Sequence, residues 1–112
     1  MEIEKAIKEV SNMGLDYFYD ELDRYAPSEI IARIKQEILD ATKLQGLHNS
    51  EITRDAFYMV LKNLDEKELD KILCEYGLLP HDVGGSHAFF QRIADEMDAA
   101  IREVKPKLMG NK

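Results

Sequence analysis

The chain reads as all-α: a compact bundle of four to six short helices with no sheet. Three observations predict this. Leu64-Asp65-Glu66-Lys67-Glu68-Leu69 carries a complete helix start. Apolar residues recur three and four apart along most of the chain, the spacing of one helix face. No run of β-branched residues alternates with polar ones, so no half-buried strand can be drawn.

Ile3, Ile7 and Val10 form the first stripe. Leu15, Phe18, Leu22 and Tyr25 form a second, about one residue out of phase. Gly14 lies between them, so one helix bends at Asn12-Met13-Gly14 or two short helices meet there. Pro27 stops what precedes it, because Ala26 is pushed out of the helical region. Pro27 or Ser28 then opens a helix whose face is Ile30, Ile31, Ile34, Ile38, Ala41 and Leu44 or Gln45. Gly46 is the expected left-handed cap, and His48-Asn49-Ser50 the turn after it.

A third helix is expected on Ile52, Phe57, Val60, Leu61 and Leu64. Asp65 can accept from the free amides of the next first turn, and Glu68 can reach back to the Asp65 amide. Leu64 and Leu69 flank them as a hydrophobic staple. Leu69, Ile72, Leu73 and Tyr76 should face inward, and Cys74 beside them reads as a small core residue. Gly77 should end this helix, with Leu78 in the apolar position that follows such a cap. Leu79 to Gly85 is the longest irregular stretch. Ser86 is the expected N-cap of the last helix, whose stripe is Phe89, Phe90, Ile93, Met97, Ile101 and Val104. Pro106 should close it and leave residues 105–112 as a frayed tail.

The 112 residues suffice for one domain spanning 1–112. A chain of this length buries roughly 65% of its unfolded surface, enough for one modest core. At 45% hydrophobic and 33% charged it is ordinary for a folded domain and wrong for disorder. No apolar run approaches the roughly 18 residues of a membrane span, and Met1-Glu2-Ile3-Glu4-Lys5 is no signal sequence. With a single cysteine, Cys74, a reducing cytoplasmic compartment is the expectation.

Net charge is −7, with 22 acids against 15 bases. The excess is carried by residues 1–26, with seven acids and three bases, and 51–80, with seven and four. That surface repels phosphate backbones and disfavours nucleic acid. It suits a basic partner or plain solubility. A recognition helix for DNA would need basic or amide side chains, whereas the helix after Asp65 sets Glu66, Glu68, Asp70 and Glu75 against Lys67 and Lys71.

Candidate metal sites are incomplete. Gln45 to Ala56 has the length of a calcium loop, but Leu47 and Ala56 fall where oxygen ligands are needed. Cys74, His81 and His87 are too few and too scattered for structural zinc. Gly84-Gly85-Ser86 precedes a helix without a strand before it or a lysine after it, so it is read as a turn with a serine cap.

Leu78-Leu79-Pro80-His81-Asp82-Val83-Gly84, with His48 33 residues before His81, resembles the metal-binding heart of the HD phosphohydrolase family. That family is helical and uses histidines, an adjacent His-Asp and a distant Asp. The resemblance implies a divalent metal at His48, His81 and Asp82 that activates water against a phosphate ester. It covers about 35 residues. Pro80 stands where that family has continuous helix, no lysine follows Gly84, and Asp95 and Asp98 come too soon to be the distant acid. The competing reading is an interhelical loop.

The best functional patch is Asp16 to Tyr25. Phe18 and Leu22 go inward, while Asp16, Asp20 and Asp23 share an outward face. With Tyr17, Tyr19 and Glu21 they offer contact area and orienting charge to a protein partner. The competing reading is a solvated helix face. The expectation is therefore a small, acidic, non-enzymatic cytoplasmic protein without cofactor or metal. It would be monomeric or a weak homodimer, and would bind and regulate or inhibit a partner with a basic surface. Immunity proteins, antitoxins and phage-encoded inhibitors share this size and charge. The alternatives are a degenerate HD-type metal-dependent phosphohydrolase and a self-associating helical bundle.

Overall fold

The computed structural model describes residues 2–12, 27–40 and 43–108. These hold five α-helices and no strand. They are α1 (Ile3–Ser11), α2 (Pro27–Asp40), α3 (Lys43–Asn63), α4 (Glu66–Glu75) and α5 (Ser86–Leu108), with a 3₁₀ turn over Pro80–Val83 before α5.

The longest helix is the organiser. α5 packs most broadly on α3 and also meets α2, α4 and the 3₁₀ turn, while α1 lies on α3. The predicted stripe of α5 is its buried face. Phe90 and Ile93 are fully buried, and Phe89, Met97, Ile101 and Val104 nearly so. Phe57 of α3 meets Phe90 at 5.7 Å between ring centroids, tilted by 56°, and Phe89 lies 5.8 Å from Phe90. Each fully buried ring of this kind contributes about 1.5–3 kcal/mol by area removed from water. Ile30, Ile34 and Ile38 of α2 and Ala6 and Val10 of α1 complete the core, with Ile3, Ile7 and Ile31 packed at its edge.

The corner between α3 and α4 is as the sequence predicts. Glu68 N donates to Asp65 Oδ1 at 2.9 Å and Asp65 N to Glu68 Oε1 at 3.1 Å, a reciprocal capping box. Leu69 is fully buried and Leu64 packs against the core. The far end of α4 is a Schellman motif. Gly77 adopts φ 74°, its N–H reaches Cys74 O at 2.9 Å, and Leu78 N reaches Leu73 O at 3.1 Å. A side chain at 77 would be strained in that left-handed conformation. The 3₁₀ turn closes the same way, with Gly84 at φ 81° and Gly85 N on Pro80 O at 2.9 Å.

Several expectations are corrected. Gly46 is not a cap, and His48-Asn49-Ser50 is not a turn: α3 runs unbroken from Lys43 to Asn63. Gly46 and Leu47 are buried there, so packing offsets the roughly 1 kcal/mol that an interior glycine costs. Asn49 is used within the helix, accepting from Gln45 at 2.9 Å and, through its carbonyl, from Thr53 at 3.0 Å. Leu44 and Gln45, the alternatives expected to end the α2 face, both lie exposed on α3. Tyr76, expected inward, is exposed because α4 has ended at Glu75. Cys74, expected in the core, is also exposed. It follows buried Leu73, and one step around a helix carries it off the buried face. Pro106 does not close α5, which continues to Leu108, so residues 105–108 are helix. Pro106 withholds only the N–H that would reach the Arg102 carbonyl, and Arg102 is exposed, so water can serve that carbonyl instead.

Ser86 is not an N-cap either. It is the first residue of α5, fully buried, and its Oγ donates to Asp70 Oδ1 of α4. No helix among the described residues is long and apolar enough to cross a membrane.

Candidate functional site

The predicted partner-binding residues Asp16, Tyr17, Tyr19, Asp20, Glu21 and Asp23 lie outside the described residues, as do Leu15, Phe18, Leu22 and Tyr25. His48 is exposed in the helical part of α3 that was expected to be a turn, His81 is exposed in the 3₁₀ turn, and His87 is exposed in the first turn of α5. Among the described residues no three His, Cys, Asp or Glu side chains come close enough to share an ion. The span Gln45 to Ala56 is helix throughout.

Polar chemistry concentrates along α5. One seam joins it to α3. Arg54 reaches Asp98 at 3.0 Å and Asp55 at 3.0 Å, and Asp98 also takes Arg102 at 2.7 Å. Burial lowers the affinity of the Arg54 guanidinium for its proton, but hydrogen bonds and charge from Asp55 and Asp98 outweigh it, and the pKa is raised. Tyr58 donates to Asp95 at 3.3 Å, and Gln91 donates to the same oxygen at 2.9 Å. Burial pushes the Tyr58 phenol up, and the Asp98 and Asp95 charges add to it. Tyr58 and Arg54 therefore stay protonated and serve as fixed donors that set α3 against α5. Outlying bridges, Lys35 to Glu103 at 2.9 Å and Lys105 to Glu51 at 2.8 Å, are more exposed. Such pairs contribute about 0–1 kcal/mol.

Beside the seam, one face of α5 forms a shallow, largely open surface. His87, Ala88, Gln91, Arg92, Asp95 and Glu96 line it. Glu96 is 4% exposed, and neither carboxylate oxygen has a hydrogen-bond partner. Arg92 stands 3.5 Å from Oε1 as an ion pair, beyond good hydrogen-bond geometry. Burial pushes the Glu96 carboxyl above its ordinary value, Arg92 opposes the shift, and Asp95 adds to it. No family model, curated protein or solved structure matches this chain.

A buried carboxylate without donors is costly. It is stabilised by whatever brings donors and positive charge to it. In the sequence Glu96 is masked by the apolar stripe through Phe89, Ile93 and Met97 that surrounds it. A signal was present. Phe89, Ile93, Glu96 and Ala100 are spaced four, three and four, so position 96 belongs to a helical face whose other members are buried.

Proposed function

We propose that this chain is a small acidic protein that binds a partner with a basic surface and regulates or inhibits it, without chemistry of its own. Immunity proteins, antitoxins and phage-encoded inhibitors are the functional types it would join, and the cytoplasm is its proposed compartment. The observation that carries the reading is the net charge of −7, with 22 acids against 15 bases. Charge of this kind speeds encounter with a basic surface and sets its orientation. The acidic, tyrosine-bearing segment with Asp16, Tyr17, Tyr19, Asp20, Glu21 and Asp23 is proposed to contribute to the contact.

The test is affinity capture with the tagged full-length chain from its source cell, followed by association rates across a salt series. A captured basic protein whose on-rate falls as salt rises supports the reading. Assembly only into a concentration-dependent dimer replaces it with the self-associating bundle. Stoichiometric zinc, manganese or iron in the purified protein replaces it with the phosphohydrolase.

A further inference from the structure

We propose that α4 and the 3₁₀ turn, residues 66–83, open from α5 as one cooperative unit while the rest of the bundle stays folded, with the Ser86–Asp70 hydrogen bond as the latch. Opening of this unit does not depend on the partner-binding reading. Among the described residues α4 packs broadly only on α5 and on the 3₁₀ turn, and the turn packs on α4 and α5. α3 leads into α4 through a corner of two residues, Leu64 and Asp65, yet the two helices make no broad contact. The hydrogen bonds described from α4 to another helix both end on the first turn of α5, at the Ser86 hydroxyl and the His87 N–H. α4 is therefore held from one side, by one neighbouring helix.

The local bonds of the unit are its own. Asp65 and Glu68 cap its start within the corner. Gly77 and Leu78 close α4 on the Cys74 and Leu73 carbonyls, and the Gly84 and Gly85 N–H groups close the turn on His81 and Pro80. Separation from α5 breaks none of these. It uncovers Leu69, Ile72 and Leu73, which are buried, and releases Glu66 and Asp70 from the first turn of α5. Gly84 and Gly85, at φ 81° and 106°, give the far end of the unit the backbone freedom of a hinge. A detached helix of 10 residues is marginal in water, so its amides lose protection together. Segments held by few buried apolar groups are the ones that open below the global free energy. The open form presents the apolar face of α4, a surface the closed fold does not offer.

The experiment is native-state hydrogen exchange of the full chain, ¹⁵N-labelled and read amide by amide across sub-denaturing urea. The hydrogen-bonded amides of α4 should share one opening equilibrium with a clear urea dependence. They should exchange at least about tenfold faster than the slowest amides of α3 and α5. Ile34→Val, a conservative change in α2 outside the unit, should speed those slowest amides and leave the α4 amides unchanged. Ser86→Ala should speed the α4 amides about tenfold, the scale of a hydrogen bond to a charged group.

Ile34→Val speeding the α4 amides as much as those of α3 and α5 would overturn the proposal, because α4 would then open only with the whole fold. So would α4 amides that exchange one by one without urea dependence, which is fraying and not cooperative opening. A folded Ser86→Ala variant whose α4 amides exchange at the wild-type rate would remove the latch. If Ser86→Ala does not fold, wild type and Ile34→Val decide between opening as a unit and opening with the whole.

Discussion

The Glu66 carboxylate of α4 accepts the backbone N–H of His87 at 3.1 Å, so the first turn of α5 is capped from a neighbouring helix. One turn further along α4, Asp70 accepts the Ser86 hydroxyl. Two carboxylates four residues apart thus sit against the positive end of α5, where anions stabilise a helix. The left-handed Gly84 and the adjacent Gly85 bring the chain around so that this end meets that face, and a Cβ on Gly85 would lie 3.6 Å from Glu66 Oε2.

Ser86 and Asp70 should therefore be energetically coupled. Ser86→Ala and Asp70→Ala should each destabilise, and a double-mutant cycle by urea denaturation should show a coupling of about 1–2 kcal/mol, the scale of a hydrogen bond to a charged group. Purely additive losses would mean that Ser86 acts only within its own helix. Glu66→Ala should cost about 1 kcal/mol, as cap losses do.

Asp65→Ala removes the local cap of α4. Its expected cost is also about 1 kcal/mol, seen as a lower denaturation midpoint at unchanged slope. An undisturbed midpoint would show that the capping box contributes nothing net.

The continuity of α3 has its own test. Ser50→Pro should lower stability by about 3 kcal/mol or more, because the ring removes an intrahelical bond and strikes the Gly46 carbonyl. A turn at His48-Asn49-Ser50 would tolerate the substitution. Circular dichroism and a thermal melt distinguish the two outcomes.

Glu96 makes a signed pH prediction. Burial raises its folded-state pKa above the ordinary 4.5, so the folded protein holds this proton more tightly than the unfolded chain. By linkage, the stabilising contribution is full below the unfolded pKa and is lost as pH rises through the folded one. Arg92 and Asp95 are the charges acting on the group. Glu96→Gln should therefore be more stable than wild type at neutral pH, and the difference should shrink as pH falls toward the ordinary carboxylate range. Denaturant midpoints from neutral to mildly acidic pH measure it. A difference that stays constant over that range would contradict the assignment.

The segment before α2 is tested by charge reversal. If Asp16, Asp20 and Asp23 share the outward face that their spacing predicts, replacing all three by lysine should leave the melting temperature within a few degrees, since exposed substitutions usually change stability by about 0.5 kcal/mol or less. Partner association should slow, and its salt dependence should weaken. Tyr17→Ala or Tyr19→Ala should instead speed dissociation if either ring is an anchor. A triple lysine variant that associates as fast as wild type would remove this segment from the contact.

Local chemistry decides where residues interact within a few positions of one another, and those features are legible in the chain. Asp65 and Glu68 are three apart and cap one another; Gly77 closes α4 on its own last carbonyls; the stripe from Phe89 to Val104 follows from the helical repeat alone. The charge of −7 and the absence of strand patterning belong to the same class. Tertiary packing decided the rest, because the partners are far apart in sequence. Gly46 stays helical since its surroundings bury it, overriding the cap that its backbone freedom favours. Ser86 turns to Asp70, 16 residues away, and its expected capping task passes to Glu66, 21 residues away. The spacing of Phe89, Ile93, Glu96 and Ala100 puts residue 96 on the buried face, but only the three-dimensional packing leaves its carboxylate oxygens without hydrogen-bond partners.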